Sequence, residues 1–355
     1  MINTDGSLAE FLPELQSAEW VSLDTEADSL HAYPEKLCLI QISTTRGDAL
    51  VDPLSKIDLM PLWPILKKHE IIIHGADYDL RLLRKTNGFV PNQIFDTMLA
   101  SRLLGEREFG LFSLVKKHLG IELEKGSQKA DWSRRPLTQR METYARHDTH
   151  YLKPLSDILR AQLREKGRLS WLEQCCDRLI AECAIPTKPE PDLVWRIKGS
   201  HKLTPRELAV LREIWRWREK EAVAGNRPPF FVLSHEALIS ISTAATNHAA
   251  YEPLFPPHFS ARRKDGLLEA IQKGLAVAPE EHPQALRPHS RRQSDAERRR
   301  FAALEQGRNR RAEELQIDPT LIASRATMID LAFDWDHAKV DLMEWQRAIL
   351  ATCRE

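Results

Sequence analysis

The sequence predicts an α/β domain followed by a wholly helical region. Three observations indicate this fold class. The first half of the chain contains four short runs rich in β-branched residues and bounded by turn residues, and helical patterns lie between and after them. The second half contains only helical patterns, several of them preceded by capping residues. The length of 355 residues corresponds to two or three domains at roughly 150 residues each.

The four runs predict the strands of a mixed sheet. They read WVSLDTEA (20–27), LCLIQIST (37–44), DALVDP (48–53) and EIIIHGA (70–76). The first two are joined by a short connection and the later ones alternate with helices, which is typical of a mixed sheet in an α/β domain. Helices are predicted over Asp79–Lys85, Asp96–Leu104, Phe112–Leu119 and Thr138–Leu163, with Asp96 as an N-cap and Gly105 as a C-terminal stop.

The second half begins after a linker that contains Pro186, Pro189 and Pro191. Thr204-Pro205-Arg206-Glu207 predicts a capping box at the start of a long helix, which ends before Gly225. Ser234 predicts the cap of a second helix. A Pro/His/Arg-rich stretch at 276–294 predicts another linker, and Asp318-Pro319 predicts a further helix start. These boundaries divide the chain into domains at residues 1–185, 193–275 and 293–355.

The composition excludes several classes of protein. Lys and Arg number 51 and Asp and Glu number 51, so the net charge is zero and a chain-wide basic coat for nucleic acid is excluded, although a local basic patch is not. No apolar run approaches the roughly 20 residues of a membrane helix, and the N-terminus lacks the pattern of a signal peptide. The five cysteines are odd in number and not arranged as CxxC, which favours a reducing cytoplasm.

Two carboxylates lie on the first predicted strand. Asp24 and Glu26 share one face because strand side chains alternate. At a separation of about 6–7 Å they repel each other unless a positive charge lies between them. The alternative interpretation is an exposed edge strand with two solvated acids.

Two further motifs contain acids. Asp77 and Asp79 follow a strand and a glycine, at the start of a predicted helix, and one of them is expected to be an N-cap. Tyr144 and Asp148 are four residues apart and share a helix face, as exposed Tyr–Asp pairs also do.

In combination, and in this order, the three motifs resemble those of the tyrosine-type branch of the DEDD family of 3′–5′ exonucleases. The matching segments are VSLDTEADSLHAYPEKLCLIQIST, HGADYDLRLLRKTNGFVPNQIFDTMLASRLLG and KADWSRRPLTQRMETYARHDTHYL, which lie within about residues 18–165. The resemblance implies a ribonuclease H-like mixed-sheet exonuclease domain.

The resemblance also implies the site residues. The family's metal-binding carboxylates fall on Asp24, Glu26, Asp79 and Asp148, and its catalytic tyrosine falls on Tyr144. The implied cofactors are two divalent ions, Mg²⁺ or Mn²⁺, because carboxylates suit these hard cations. One ion lowers the pKa of a bound water and the other stabilises the leaving 3′ oxygen. With an ordinary pKa near 10, Tyr144 is expected to orient the attacking water rather than act as the base.

Five residues near these motifs are candidates for substrate contacts. His74 ends a strand beside the site and could contact substrate. The alternative interpretation of His74 is a hydrogen-bonded structural role. Trp132 and Arg134 could stack on a base and contact phosphate, or be a packed Trp and a solvated Arg. His31 and Tyr33 follow the first motif and could line the cleft.

The helical half resembles HRDC domains. The run LTPRELAVLREIWRWREKEAVAGNRPPFFVLSHEAL carries this resemblance over about 193–270, and the tail 295–355 resembles a second such module more weakly. Between residues 287 and 311 lie nine arginines and three acids. The strip around Arg298, Arg299 and Arg300 is expected to contact RNA phosphates, unless it is a solvated linker and helix entry.

The sequence therefore predicts a cytoplasmic, monomeric 3′–5′ exoribonuclease that hydrolyses RNA 3′ ends to 5′-mononucleotides, with tRNA precursors or other structured RNA as substrates implied by the resemblance. The alternatives are a 3′–5′ DNA exonuclease, which would use the same carboxylates, and a non-catalytic RNA-binding scaffold. No membrane partner is expected.

Overall fold

The computed structural model describes residues 1–124, 126–186, 190–286 and 293–353. They form two compact units. The first contains residues 1–27, 37–186 and 293–353, and the second contains residues 28–36 and 190–286. Pro189 of the predicted first linker, and Arg287, Arg291 and Arg292 of the predicted arginine strip, lie outside the described residues.

A five-stranded mixed sheet lies in the first unit. Its strands are β1 (Val21–Ala27), β2 (Leu37–Thr44), β3 (Gly47–Val51), β4 (Glu70–Ile73) and β5 (Gln93–Asp96). The order is β3-β2-β1-β4-β5. The pairs β1–β2 and β2–β3 are antiparallel, and β1–β4 and β4–β5 are parallel. The predicted mixed sheet is confirmed, although β5 was not predicted, because its apolar run is limited to Ile94 and Phe95, whereas β4 contains three consecutive isoleucines.

Eight α-helices accompany this sheet in the described part of residues 1–186. They are α1 (Asp5–Gln16), α2 (Leu62–Leu66), α3 (Asp77–Asn87), α4 (Thr97–Leu104), α5 (Leu111–Leu119), α6 (Gln139–His150), α7 (Leu152–Glu165) and α8 (Leu169–Ala184). The single helix predicted over Thr138–Leu163 is divided at Tyr151. This division makes α6 a separate element.

The second unit is helical. Its helices are α9 (Pro205–Ala224), α10 (Pro229–Val232), α11 (His235–Thr246) and α12 (Ala261–Leu275). The predicted capping box at Thr204 is confirmed, since its side chain accepts from the Glu207 N–H and Glu207 binds back to the Thr204 N–H. The Ser234 cap is confirmed too. Trp195 and the apolar faces of α9, α11 and α12 form the core of this unit.

The C-terminal helices belong to the first unit. They are α13 (Asp295–Leu315), α14 (Pro319–Ile322), α15 (Arg325–Phe333), α16 (Trp335–Ala338) and α17 (Glu344–Ala351). Trp345 stacks on Trp171 with 4.7 Å between the ring centroids, and the Arg168 guanidinium donates to the carbonyls of Leu103 and Leu315. The tail thus shares one hydrophobic core with the sheet and helices of the first 186 residues. The division into three domains stays a prediction. None of the described helices is long and apolar enough to cross a membrane.

Candidate active site

Three carboxylates converge on one face of the sheet. Asp24 and Glu26 lie on β1 and alternate with Thr25, so they point to the same side. Asp148 comes from α6, which packs against β1, β2 and β3. One carboxylate oxygen from each of the three lies within 4.8 Å of the others. Residues 124 positions apart in the sequence therefore form a single acidic cluster.

Asp79 lies beside this cluster but is held differently. Its Oδ1 accepts hydrogen bonds from the Thr25 backbone N–H at 3.1 Å and from the Thr25 hydroxyl at 2.5 Å. The residue between Asp24 and Glu26 therefore fixes the fourth acid to β1. Sequence analysis did not identify Thr25 as a site residue, because its role depends on a contact 54 positions away.

The start of α3 differs from the prediction. Neither Asp77 nor Asp79 is its N-cap, because the helix begins at Asp77 after Ala76, and Ala76 has no side-chain cap. Asp77 pairs instead with Arg81 at 2.9 Å on the exposed side of the helix. Asp79 is thereby left to turn inward, where it is almost fully buried.

Asp96 connects two elements next to the site. Its predicted role as the N-cap of α4 is confirmed, since it accepts from the N–H groups of Met98 and Leu99. The same carboxylate also accepts from Gly75 at 3.0 Å and Ala76 at 2.9 Å. Gly75 has a φ of 73°, which glycine adopts without strain. Asp96 therefore fixes the turn that leads into Asp79.

The electrostatics of the cluster are unfavourable without a positive charge. Burial and the charges of Asp148 and Asp79 raise the pKa of Glu26 to about 9. Burial raises the pKa of Asp79 to about 7, against the hydrogen bonds from Thr25. Burial also raises the pKa of Asp148 to about 7, and the pKa of Asp24 lies well above its ordinary range for the same reason and because of its three acidic neighbours. Such a group of acids favours proton or cation binding.

Hydrogen bonds fix α6 to the sheet. The Ser43 hydroxyl on β2 contacts Thr149 Oγ1 at 2.7 Å and Asp48 Oδ1 at 2.6 Å. Asp48 also contacts His150 Nδ1 at 2.8 Å, and its backbone carbonyl accepts from Arg146. The α6 residues that make these contacts lie on both sides of Asp148 in the sequence. They therefore set the position of its carboxylate.

Tyr144 stands one helical turn before Asp148. Its hydroxyl donates to the Asp148 carboxylate, and Gln128 donates to that hydroxyl. Burial and the charges of Asp148, Glu26 and Asp24 raise the pKa of the phenol well above its ordinary value, so it stays protonated. The structure places Tyr144 beside the carboxylates, as the sequence predicts.

A small apolar cluster supports Tyr144, and an arginine holds this cluster in place. Trp132 is buried with its ring centroid 6.1 Å from that of Tyr144. The Arg135 guanidinium donates to the Trp132 carbonyl at 2.9 Å, to the Cys38 carbonyl at 2.7 Å, and twice to the Asp52 carboxylate at 2.6 Å. Arg135 was not a candidate in the sequence, because its partner Asp52 lies 83 positions away.

The predicted substrate contacts occupy varied environments. Trp132 is packed in the core, so its ring is not presented for stacking on a base. His74 contacts Thr97 Oγ1 through Nδ1 at 2.9 Å, and burial lowers its pKa. Arg134 is 79% exposed and pairs only loosely with Asp131. His31 is exposed.

Tyr33 belongs to the second unit and makes its hydrogen bonds with residues of that unit. Its hydroxyl donates to Glu219 at 2.6 Å, and its backbone N–H donates to Asn226. The ring packs against the helical core of that unit. The contacts of Tyr33 are thus with α9 and the turn that follows it, and its predicted role at the cleft has no support from them.

The arginine strip is largely engaged by its own unit. Arg298 pairs with Asp295, and Arg300 Nε donates to the Ala332 carbonyl at 2.7 Å. Arg308 donates to the Ala323 carbonyl. Arg299 is exposed and lines a groove with Phe333. Arg299 is therefore the member of the predicted trio best placed to contact a phosphate.

The donor set fits divalent cations. Hard carboxylate oxygens are the ligands that Mg²⁺ and Mn²⁺ prefer. Burial, together with the charges of neighbouring acids, raises the pKa values of the four acids, and a bound cation would offset both effects. Among the described residues, no cysteine or histidine joins this cluster.

Comparisons with known proteins agree with this site. A family model described as 3′–5′ exonuclease matches residues 1–164, and one for the HRDC domain matches residues 207–248. Ribonuclease D of Zymomonas mobilis is 32% identical over 293 residues, which cover 80% of this chain and 75% of that protein. Ribonuclease D of Pseudomonas paraeruginosa is also 32% identical, over 80% of this chain and 77% of its own. The chain belongs to the ribonuclease D family of 3′–5′ exoribonucleases.

Solved structures extend the family likeness to the whole chain. The crystal structure of Escherichia coli RNase D, described as an exoribonuclease involved in structured RNA processing, has a TM-score of 0.75 at 26% identity. It covers 99% of this chain and 96% of its own. A protein from Bifidobacterium adolescentis has a TM-score of 0.85 at 22% identity, which shows the shared fold. The ribonuclease D assignment therefore includes the helical C-terminal half as well as the exonuclease domain.

Proposed function

We propose that this chain removes nucleotides one at a time from the 3′ ends of RNA and releases 5′-mononucleotides, with two divalent cations at the acidic cluster. The observation that carries the proposal is the convergence of Asp24, Glu26 and Asp148 within 4.8 Å, with Asp79 fixed next to them. Structured RNA such as a tRNA precursor is the proposed substrate class. Its support is the family relationship and the similarity to E. coli RNase D, an exoribonuclease involved in structured RNA processing.

The cluster would hold the cations through Asp24, Glu26, Asp79 and Asp148. When bound, the cations supply a water of lowered pKa and stabilise the negative charge that develops on the leaving 3′ oxygen. Burial and mutual repulsion raise the pKa values of these acids, and bound cations would compensate for both. The protein's own contribution is to fix the four carboxylates, through Thr25, Asp96 and the contacts of α6.

Tyr144 is proposed to orient the attacking water. Its raised pKa keeps the phenol protonated at neutral pH, so it can donate a hydrogen bond but is unsuited to remove a proton. Trp132 packs beside its ring, and Gln128 and Asp148 bind its hydroxyl. The ring and the hydroxyl of Tyr144 are therefore both fixed by neighbouring side chains.

We also propose that the protein acts as a monomer in the cytoplasm. None of its five cysteines, all of which the structure describes, forms a disulfide. This is the state expected in a reducing compartment.

The function is tested by incubating the full chain with RNA and DNA of the same sequence, each labelled at the 5′ end. With Mg²⁺ or Mn²⁺ the RNA should shorten in single-nucleotide steps, and EDTA should stop the reaction. Faster degradation of DNA would instead favour a DNA exonuclease. Binding of RNA without shortening would favour a non-catalytic scaffold, and either result contradicts the proposal.

A further inference from the structure

A fully buried glutamine lies next to the first acid of the cluster. Gln41 is at the centre of β2, where its Cα partner on β1 is Asp24 and its partner on β3 is Leu50. Directly opposite residues of antiparallel strands share a face, with Cβ atoms about 4.5–5.5 Å apart. The Gln41 side chain therefore lies beside that of Asp24, on the face of the sheet that carries the carboxylates.

The Gln41 carboxamide has no hydrogen-bond partner among the described residues. Both Nε2 and Oε1 are buried and unpaired, and the residue is 0% exposed. The Ser22 hydroxyl, two residues before Asp24 on the same face of β1, is likewise buried and unpaired. Three unpaired polar atoms thus adjoin the proposed cation site from within the sheet.

The other neighbours of Gln41 on this face offer little to its carboxamide. Leu39 and Leu50 are apolar, and the Ser43 hydroxyl is already engaged with Asp48 and Thr149. Buried polar side chains in native proteins are nearly always hydrogen-bonded. Among its neighbours within the sheet, the direct cross-strand partner Asp24 is the polar group to which the carboxamide can turn.

We propose that Gln41 is a positioning residue for cation binding. Its Nε2–H donates to the Asp24 carboxylate oxygen that does not bind the cation, and the Ser22 hydroxyl donates to Gln41 Oε1. This arrangement satisfies all three unpaired atoms at once, and it orients the carboxylate before the cation arrives. It rests on the proposed function, because it assumes that Asp24 is a cation ligand.

The test compares Mn²⁺ affinity with the stability of the cation-free protein, in the full chain without RNA. Gln41→Met keeps the length of the side chain and removes both hydrogen-bonding atoms. Loss of a group that orients a ligand typically weakens metal affinity by about 10–100-fold, so the Mn²⁺ dissociation constant should rise at least about tenfold. In EDTA, the melting temperature should fall, because the hydrogen bonds that join Gln41 to Asp24 and Ser22 are lost, so the control must show that a loss of stability alone does not weaken Mn²⁺ binding.

The matched control is Ile42→Val. Ile42 is equally buried on the same strand, but its side chain lies on the opposite face. This variant should melt at a lower temperature in EDTA and bind Mn²⁺ as the wild type does. A general effect of perturbing β2 would weaken Mn²⁺ binding in both variants and overturn the proposal. Wild-type Mn²⁺ affinity in Gln41→Met would also overturn it.

Two further variants keep the result interpretable. If Gln41→Met does not fold, Ser22→Ala takes its place, since it removes the donor to Gln41; a weaker Mn²⁺ affinity supports the proposal and an unchanged affinity overturns it. Asp24→Asn tests the cation site separately from the role of Gln41. If it binds Mn²⁺ like the wild type, the cation site itself is wrong. If it loses Mn²⁺ while Gln41→Met and Ser22→Ala do not, only the role of Gln41 is wrong.

Discussion

Replacement of Arg135 by alanine should destabilise the first unit, because the Arg135 side chain joins Asp52 to the backbone of the apolar cluster that packs against Tyr144. The Arg135 side chain is 28% exposed and its partner Asp52 is 7% exposed, and two hydrogen bonds of 2.6 Å join them. Removing one member of a buried ion pair costs about 3–5 kcal/mol, since the other charge is left buried and unpaired. The partial exposure of Arg135 places the expected loss at the lower end, about 3 kcal/mol.

The change is measured by thermal unfolding of the full chain. A loss of about 3 kcal/mol in a unit of this size corresponds to a decrease in melting temperature of roughly 6–12 °C. Arg134→Ala is the matched control, because this neighbour is 79% exposed and its contact with Asp131 is 3.3 Å long. Its unfolding free energy should change by less than about 0.5 kcal/mol. Equal effects of the two substitutions, or none in Arg135→Ala, would refute the reasoning.

Three further predictions concern chemistry, pH and RNA. Tyr144→Phe should lower the hydrolysis rate by about 100-fold or more while Mn²⁺ affinity stays close to wild type; wild-type turnover excludes a role in orienting water. In EDTA, protons bound by Asp79 and Asp148 stabilise the folded state below about pH 4, and this contribution is lost as the pH rises through about 7. The increase in melting temperature on adding Mn²⁺ should therefore be larger at pH 8 than at pH 5, and an equal increase at both contradicts this. Changing Arg298–Arg300 to Gln should weaken RNA binding and reduce the slope of log affinity against log salt by at most about 2; an unchanged slope means that these arginines do not contact phosphate.

Local patterns were sufficient to predict much of the fold. The β-branched runs of β1 and β2, the capping box at Thr204 and the cap at Asp96 are each defined by a few neighbouring residues, and the structure contains them all. The break at Tyr151 was missed, because the apolar periodicity continues from α6 into α7.

The sequence predicted the acids of the site but not their support. Asp24, Glu26 and Asp148 belong to short motifs, so the family resemblance identifies them directly. The contacts of Thr25 with Asp79 and of Arg135 with Asp52 join positions 54 and 83 residues apart. A single sequence contains no local signal for such pairs, and the register of β1 and β2 is what places Gln41 beside Asp24.

The central claim is that the acidic cluster holds the cations on which hydrolysis depends. The most direct measurement is an anomalous difference map from crystals of the full chain soaked with Mn²⁺. We expect manganese peaks in contact with Asp24, Glu26 and Asp148, with Asp79 bound to the same ions. The absence of a peak at this cluster, or manganese bound only elsewhere on the protein, would contradict it.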